Sequence, residues 1–91
     1  MEIKWTSKAV SDLARLYEFL ALANKSAAAR VVQALAQAPT ILLTNSRIGE
    51  QLFRFEPREI RRILAREYEV RYEIQKSVLY VLRIWHTREE R

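Results

Sequence analysis

Residues 68–86 confine this chain to a narrow set of folds. "YEVRYEIQ" (68–75) alternates strictly, with Tyr68, Val70, Tyr72 and Ile74 on one side and Glu69, Arg71, Glu73 and Gln75 on the other. That period of two belongs to an antiparallel strand with one face in a core and the other in water. "VLYVLRIWH" (78–86) is apolar on both sides as far as Arg83, a pattern that suits the most buried, central strand. Lys76 and Ser77 alone separate the two segments, so they read as a hairpin. Because an isolated hairpin is marginal in water, the rest of the chain must supply further strands and a cover.

The cover comes first in sequence. "EIKW" (2–5) is a short alternating strand. Thr6 or Ser7 then offers a side-chain oxygen to cap a helix, and Asp12 sits in an early turn where the helix dipole favours a carboxylate. Val10, Leu13, Tyr17 and Leu20, with Ala14 and Ala21 alongside, recur at helical spacing and predict one apolar face, ending near Asn24 as a C-terminal cap. Ser26 is the expected cap of a second helix, "AAARVVQALAQA", with Val31, Leu35, Ala38 and Leu42 as its inward stripe. Pro39 must kink that helix or force a restart. The short link makes the two helices an antiparallel hairpin.

"TNSRIGEQLFRFEPRE" (44–59) carries the chain's single glycine and its second proline, and reads as the loop leaving the helices. "REIRRIL" (58–64) is a further strand. The expected fold is α+β, in the order β-α-α-β-β-β, as one domain over residues 1–91. The helix hairpin covers one face of a small antiparallel sheet, and the first strand takes an edge. The opposite face is left partly open and rich in arginine.

Composition narrows the function classes. With no cysteine and one histidine there is no disulfide framework and no donor set for zinc, and no cofactor is expected. No apolar run approaches the roughly 20 residues that span a bilayer, and "MEIKWTSKAV" lacks a signal-peptide core, so a cytoplasmic protein without membrane contact is expected. The formal charge is +5, carried by far more arginine than lysine. Guanidinium groups bind carboxylate or phosphate in a bidentate fork, so the surplus suits nucleic acid or an acidic protein segment. A merely solvated cationic surface has the same composition.

The order of elements, together with "SRIGEQL" after the helices, "REIRRIL" opening on Arg58-Glu59, "VRYEI" with Tyr72, and the closing "VLYVLRIWHTREER", resembles the ParE/RelE superfamily of toxins from bacterial toxin–antitoxin pairs, ParE-like branch. Ser46 stands where the ParE-like loop usually has proline, and "HTREE" replaces a double arginine. The resemblance implies a partner antitoxin of the ParD type, with an acidic, amphipathic C-terminal segment. It also implies one of two actions. ParE-like members are associated with poisoning DNA gyrase, without sequence-specific DNA readout by the toxin itself. RelE-like members resemble small nucleases that cut mRNA on the ribosome.

Cleavage beside a 2′-hydroxyl needs a base, an acid, and cations for the phosphorane. The resemblance places Glu69 where RelE-like nucleases carry an arginine, and no late tyrosine follows Trp85. The residues left for a nuclease are His86, Arg83, Arg88 and Glu59. For His86 the choice stays open between an acid–base role and a strand-end imidazole bonded to a backbone group or to Glu59. Arg58-Glu59 is expected to form strand-edge ion pairs that position the loop, and Trp85 to be a core or interface anchor. Candidates for binding a target or an antitoxin are Arg58, Arg61, Arg71, Arg83, Trp85, His86, Arg88 and Arg91.

Overall fold

The computed structural model describes residues 1–89; Arg91, one of the candidate binding residues, lies outside them. The elements are β1 (Glu2–Trp5), α1 (Ser7–Ala21), α2 (Lys25–Gln37), a 3-10 turn (Ala38–Leu43), β2 (Glu50–Gln51), β3 (Glu59–Ala65), β4 (Tyr68–Gln75) and β5 (Val78–His86). The sheet order is β1-β5-β4-β3-β2, with β1 parallel to β5 and every other pair antiparallel. The sheet is therefore mixed rather than wholly antiparallel. The long crossover through both helices allows β1 to lie parallel to the last strand, which a tight turn could not. β1 does take an edge. The other edge is β2, a two-residue strand inside the segment expected to be loop.

Thr6 is the cap of α1. Its hydroxyl accepts the Ala9 N–H at 3.1 Å and donates to the Leu82 carbonyl at 2.9 Å, joining helix start to β5. Asn24 caps the start of α2, accepting the Ala27 N–H at 3.0 Å, so it does not end α1, and Ser26 is not the cap. Pro39 sits in the first turn of the 3-10 segment, where its missing N–H costs nothing, and the helix restarts there rather than kinking.

The buried residues of α1 are Ala9, Asp12 and Leu16, with Leu13 packed against the core, whereas Val10 is 54% exposed. The inward face is thus rotated from the one expected. Alanines and leucines in α1 form two overlapping stripes, and a polar contact selects between them. β1 pairs with β5 only as far as Trp5↔Val81, which leaves the Ile84 N–H without a strand neighbour. Asp12 accepts it at 2.9 Å and occupies the place of the missing strand.

β4, not β5, is the central and most buried strand. The two register as Arg71↔Arg83 and then Tyr72↔Val81, so Leu82 is an extra residue in β5. This bulge lets Val81 and Ile84 both face inward although they are three residues apart, which accounts for the mixed apolar pattern of β5. Leu35, Leu42, Tyr72, Leu79, Val81 and Ile84 are wholly buried between helices and sheet. Each large aliphatic chain there contributes about 1.5–3 kcal/mol over leaving it in water.

The loop from 44 to 58 is drawn onto this core by Tyr72. Its hydroxyl donates to the Ser46 carbonyl at 2.8 Å and accepts the Gly49 N–H at 3.1 Å, and burial pushes the phenol's pKa up. A Cβ on residue 49 would strike the Tyr72 hydroxyl and would lie 2.7 Å from the Arg62 carbonyl. Close approach, rather than a left-handed backbone, is what requires glycine here.

Candidate functional site

The candidate residues fall into three groups. The first lies on the sheet face turned away from the helices, where alternation places Arg62 of β3, Glu69, Arg71 and Glu73 of β4, and Arg83 and Trp85 of β5. This face is not a solvated charge run. Glu69 is 0% exposed beneath two guanidiniums, accepting from Arg71 at 2.8 Å and Arg62 at 3.2 Å. Glu73 is buried beneath Arg58, which donates to both of its oxygens at 2.7 and 3.0 Å. That hydrogen bond holds the Glu73 carboxyl below its ordinary pKa.

Aromatic rings complete the face. The Arg71 guanidinium carbon is 4.7 Å from the Trp85 ring centroid and 5.6 Å from that of Phe55, and Arg83 lies 4.9 Å from Trp85. Arg54 stacks on Phe55 at 4.7 Å. Trp85 is therefore an anchor for arginines on the outer face. Each contact of this type contributes about 0.5–1 kcal/mol at exposed sites. The result is a cationic surface whose charges are held rigidly by carboxylates below and rings beside them.

The second group sits at the start of β3. Glu59 accepts from Arg47 at 2.8 and 2.9 Å and from Arg61 at 2.8 Å, and the Arg47 bond chiefly lowers its pKa. Arg61 also donates to the Gly49 carbonyl at 2.8 Å and the Arg47 carbonyl at 3.2 Å. Its guanidinium is engaged in holding the loop. Arg58 and Glu59 do position that loop, but through separate partners on opposite faces of the sheet rather than as a pair.

His86 and Arg88 form the third group, at the far end of the sheet. The His86 ring meets Tyr68 edge-on at 5.2 Å, its Nδ1 accepts the Arg88 N–H at 3.1 Å, and its Nε2 lies 3.5 Å from Glu67. The His86 N–H donates to Glu89 at 3.1 Å, and Glu89 is itself held by Arg15 at 2.6 Å. With Nδ1 accepting, the neutral ring carries its proton on Nε2. His86 thus bonds a backbone group, as one of its two expected roles had it, but its carboxylate neighbour is Glu67 and not Glu59.

Glu59 pairs with Ile74 across the ladder and His86 with Tyr68. Those positions are about 20 Å apart along β4. The four residues considered for RNA cleavage therefore do not converge on one phosphate, since acid and base must both reach it within hydrogen-bond distance. Among the described residues no cluster of His, Asp or Glu is arranged to hold a metal.

Sequence reasoning missed Glu69 and Glu73 as buried anchors, and Phe55 and Arg62 as parts of the face. The signal was present as the alternation Glu69, Arg71, Glu73 in β4 beside Arg61-Arg62 in β3, but it becomes readable only once Arg62↔Arg71 is the known register.

The arrangement defines a class: an α+β domain with a helix hairpin on one side of a five-stranded mixed sheet and an arginine-rich open face on the other. The chain belongs to the ParE toxin family, since the family model described as the ParE toxin of type II toxin-antitoxin system, parDE, matches residues 3–91. Among solved structures it is similar to a chain of the chromosomal ParDE TA system from P. aeruginosa, with 22% identity and a TM-score of 0.78. That match covers 94% of this chain and 95% of the other, and at such identity it shows the fold alone. No curated protein matches the chain.

Proposed function

We propose that this ParE-type toxin acts by binding DNA gyrase and stalling it on cleaved DNA, without breaking bonds itself, and that a ParD-like antitoxin silences it. The observation that carries this reading is Glu69, wholly buried beneath Arg62 and Arg71. The position at which an RNase of this superfamily would present a cation holds a carboxylate that engages its two nearest guanidiniums. The separation of Glu59 from His86 supports the same view. Arg58, Arg71, Arg83 and Trp85 make a preorganised face for a macromolecular partner. No helix among the described residues is long and apolar enough to cross a membrane, which suits action in the cytoplasm.

The test uses purified chain with gyrase and supercoiled DNA. Loss of supercoiling activity and accumulation of cleaved DNA–gyrase complexes are expected, both reversed by the protein encoded in the adjacent reading frame. Gyrase left untouched at micromolar toxin overturns the gyrase target. Codon-phased cuts in mRNA on stalled ribosomes, lost on His86→Ala, would assign the RelE-type activity instead.

A further inference from the structure

The outer sheet face carries a placement that folding alone would avoid. Arg62↔Arg71 and Arg71↔Arg83 are directly opposed partners, so three arginines stand in one row across β3, β4 and β5. Like charges directly opposed across strands are destabilising, and this row stands because Glu69 and Asp12 bind its guanidiniums. Apolar residues of similar volume often serve stability as well as such ion pairs do. Natural sequences keep costs of this kind at functional sites. The row also belongs to a longer file in which guanidiniums and rings alternate. Arg54 stacks on Phe55, Phe55 lies against Arg71, and Arg71 and Arg83 both sit on Trp85.

Hydrogen bonding fixes which donors remain. Arg58, Arg71 and Arg83 each turn Nε and Nη2 to a carboxylate, that of Glu73, Glu69 and Asp12 respectively. Each keeps Nη1, with two N–H donors and no hydrogen bond among the described residues. The three acids are buried, whereas the Arg58 and Arg83 side chains are 57% and 36% exposed. Arg71, at 13%, spaces the others. Lys4 and Arg54 add two exposed cations without ion pairs among the described residues. Lys4 joins this face because it pairs with Tyr80, the partner of Glu73. The exposed acids that the strands put on this face, Glu2 and Glu50, stand on the two edge strands. A partner laid across the middle of the sheet therefore meets guanidinium ends.

We infer that this face binds the phosphate backbone of duplex DNA directly and without sequence preference, with Lys4, Arg54, Arg58 and Arg83 as the phosphate contacts. This deepens the gyrase reading, and rests on it only in making DNA the duplex at hand. Separate donors held in a file suit a row of singly charged groups, and a duplex presents one charge per roughly 1.7 Å of its axis. Backbone contacts of this kind carry no sequence information. A carboxylate is bound best by two parallel N–H donors, and the Nε–Nη2 pairs are already filled, so an acidic peptide is the poorer occupant. Single strands gain much of their binding from bases stacked on open rings. Here Phe55 and Trp85 already carry guanidiniums. A second copy of this chain would set like charge against like.

The experiment is fluorescence anisotropy with the full chain and labelled duplexes of two unrelated sequences, titrated at several salt concentrations. Both duplexes should bind equally, with log K falling against log salt at a slope of about −3, as expected for three to four neutralised phosphates. Lys4→Gln and Arg54→Gln break no ion pair among the described residues. Each should reduce that slope by about 1 and weaken both duplexes alike, and Arg54→Lys should keep it. Arg30→Gln removes the same charge from an exposed position of α2, on the other side of the sheet, and should bind as wild type. Absence of binding at low salt, or equal losses from Arg30→Gln and Arg54→Gln, overturns the surface. Tighter binding of RNA or of single-stranded DNA overturns the duplex as occupant. Displacement of the duplex by polyglutamate of equal charge gives the face to an acidic protein instead. Gyrase assays on the same sample separate the two readings. A chain that binds duplex DNA but leaves gyrase untouched loses the gyrase target and keeps this surface. One that poisons gyrase without binding DNA loses the surface alone.

Discussion

Asp12 holds β5 through two kinds of group at once: its carboxylate accepts from the Arg83 guanidinium at 2.8 and 3.1 Å and from the Ile84 N–H at 2.9 Å. One side chain therefore fixes the phase of α1, ends the β1–β5 edge and orients an arginine that also stacks on Trp85. Asp12→Ala leaves a buried N–H unpaired and a guanidinium without its counter-ion, and should cost about 2–4 kcal/mol. Asp12→Asn keeps an acceptor for Ile84 and should cost distinctly less. Urea denaturation of both variants measures the difference.

Gly49 and Tyr72 are coupled by contact. Gly49→Ala forces a methyl against the Tyr72 hydroxyl and the Arg62 carbonyl, an overpacking of about 1–3 kcal/mol. Tyr72→Phe removes the hydroxyl that accepts from Gly49 and donates to Ser46. The double variant should be less destabilised than the sum of the two, because the removed oxygen is the atom that the new methyl strikes. A double-mutant cycle in denaturant reads that coupling.

Glu69 and Arg71 give the opposite contrast. Arg71→Met strips one of two guanidiniums from a wholly buried carboxylate and should cost about 3–5 kcal/mol. Adding Glu69→Leu removes the charge left behind and should restore most of that stability. If the single variant were as stable as wild type by thermal unfolding, the account of this face as a set of buried ion pairs would fail.

The acid limb of the stability curve should come from Glu59 and Glu73. Arg47 and then Arg61 hydrogen-bond the first, Arg58 the second, and both carboxyls are held below the ordinary value of 4.5. The folded chain therefore binds fewer protons than the unfolded chain in that range, so stability rises with pH there. The contribution is fully present above about pH 4.5 and is lost as pH falls through the lowered folded values. Melting temperatures from pH 7 to pH 3 should show this fall, and Arg47→Ala with Arg58→Ala should flatten it.

His86→Ala should leave growth arrest intact. It removes an edge-on contact with Tyr68 and the acceptor for the Arg88 N–H, worth about 1 kcal/mol. A retained growth defect in cells expressing the variant without antitoxin, alongside intact message, is the expected outcome.

Much of the fold was legible in the chain because period-two and period-3.6 patterns are local. The alternation in 68–75, the Lys76-Ser77 turn and the break at Pro39 each act within a few residues, and the strands fall where they indicate. Where two local patterns compete, locality fails. α1 offers two apolar stripes, and Asp12 selected one by meeting an N–H that is 72 residues away. β5 looked like the centre because it is apolar on both sides, whereas β4 is more deeply buried although every second residue is polar. Its carboxylates lie under arginines from β3, β4 and the preceding loop.

The site divides along the same line. Sequence determined which residue types were available: twelve arginines, one histidine, a carboxylate at position 69 and a tryptophan near the end. It also determined the family, through the order and spacing of motifs along the chain. Tertiary structure alone decided which arginines are held by Glu59, Glu69 and Glu73, and that Glu59 and His86 stand at opposite ends of the sheet. The physical reason is that ion pairs and ladder edges depend on strand register. Register is set by long-range pairing and the bulge at Leu82, and a one-residue slip would send every such side chain to the other face.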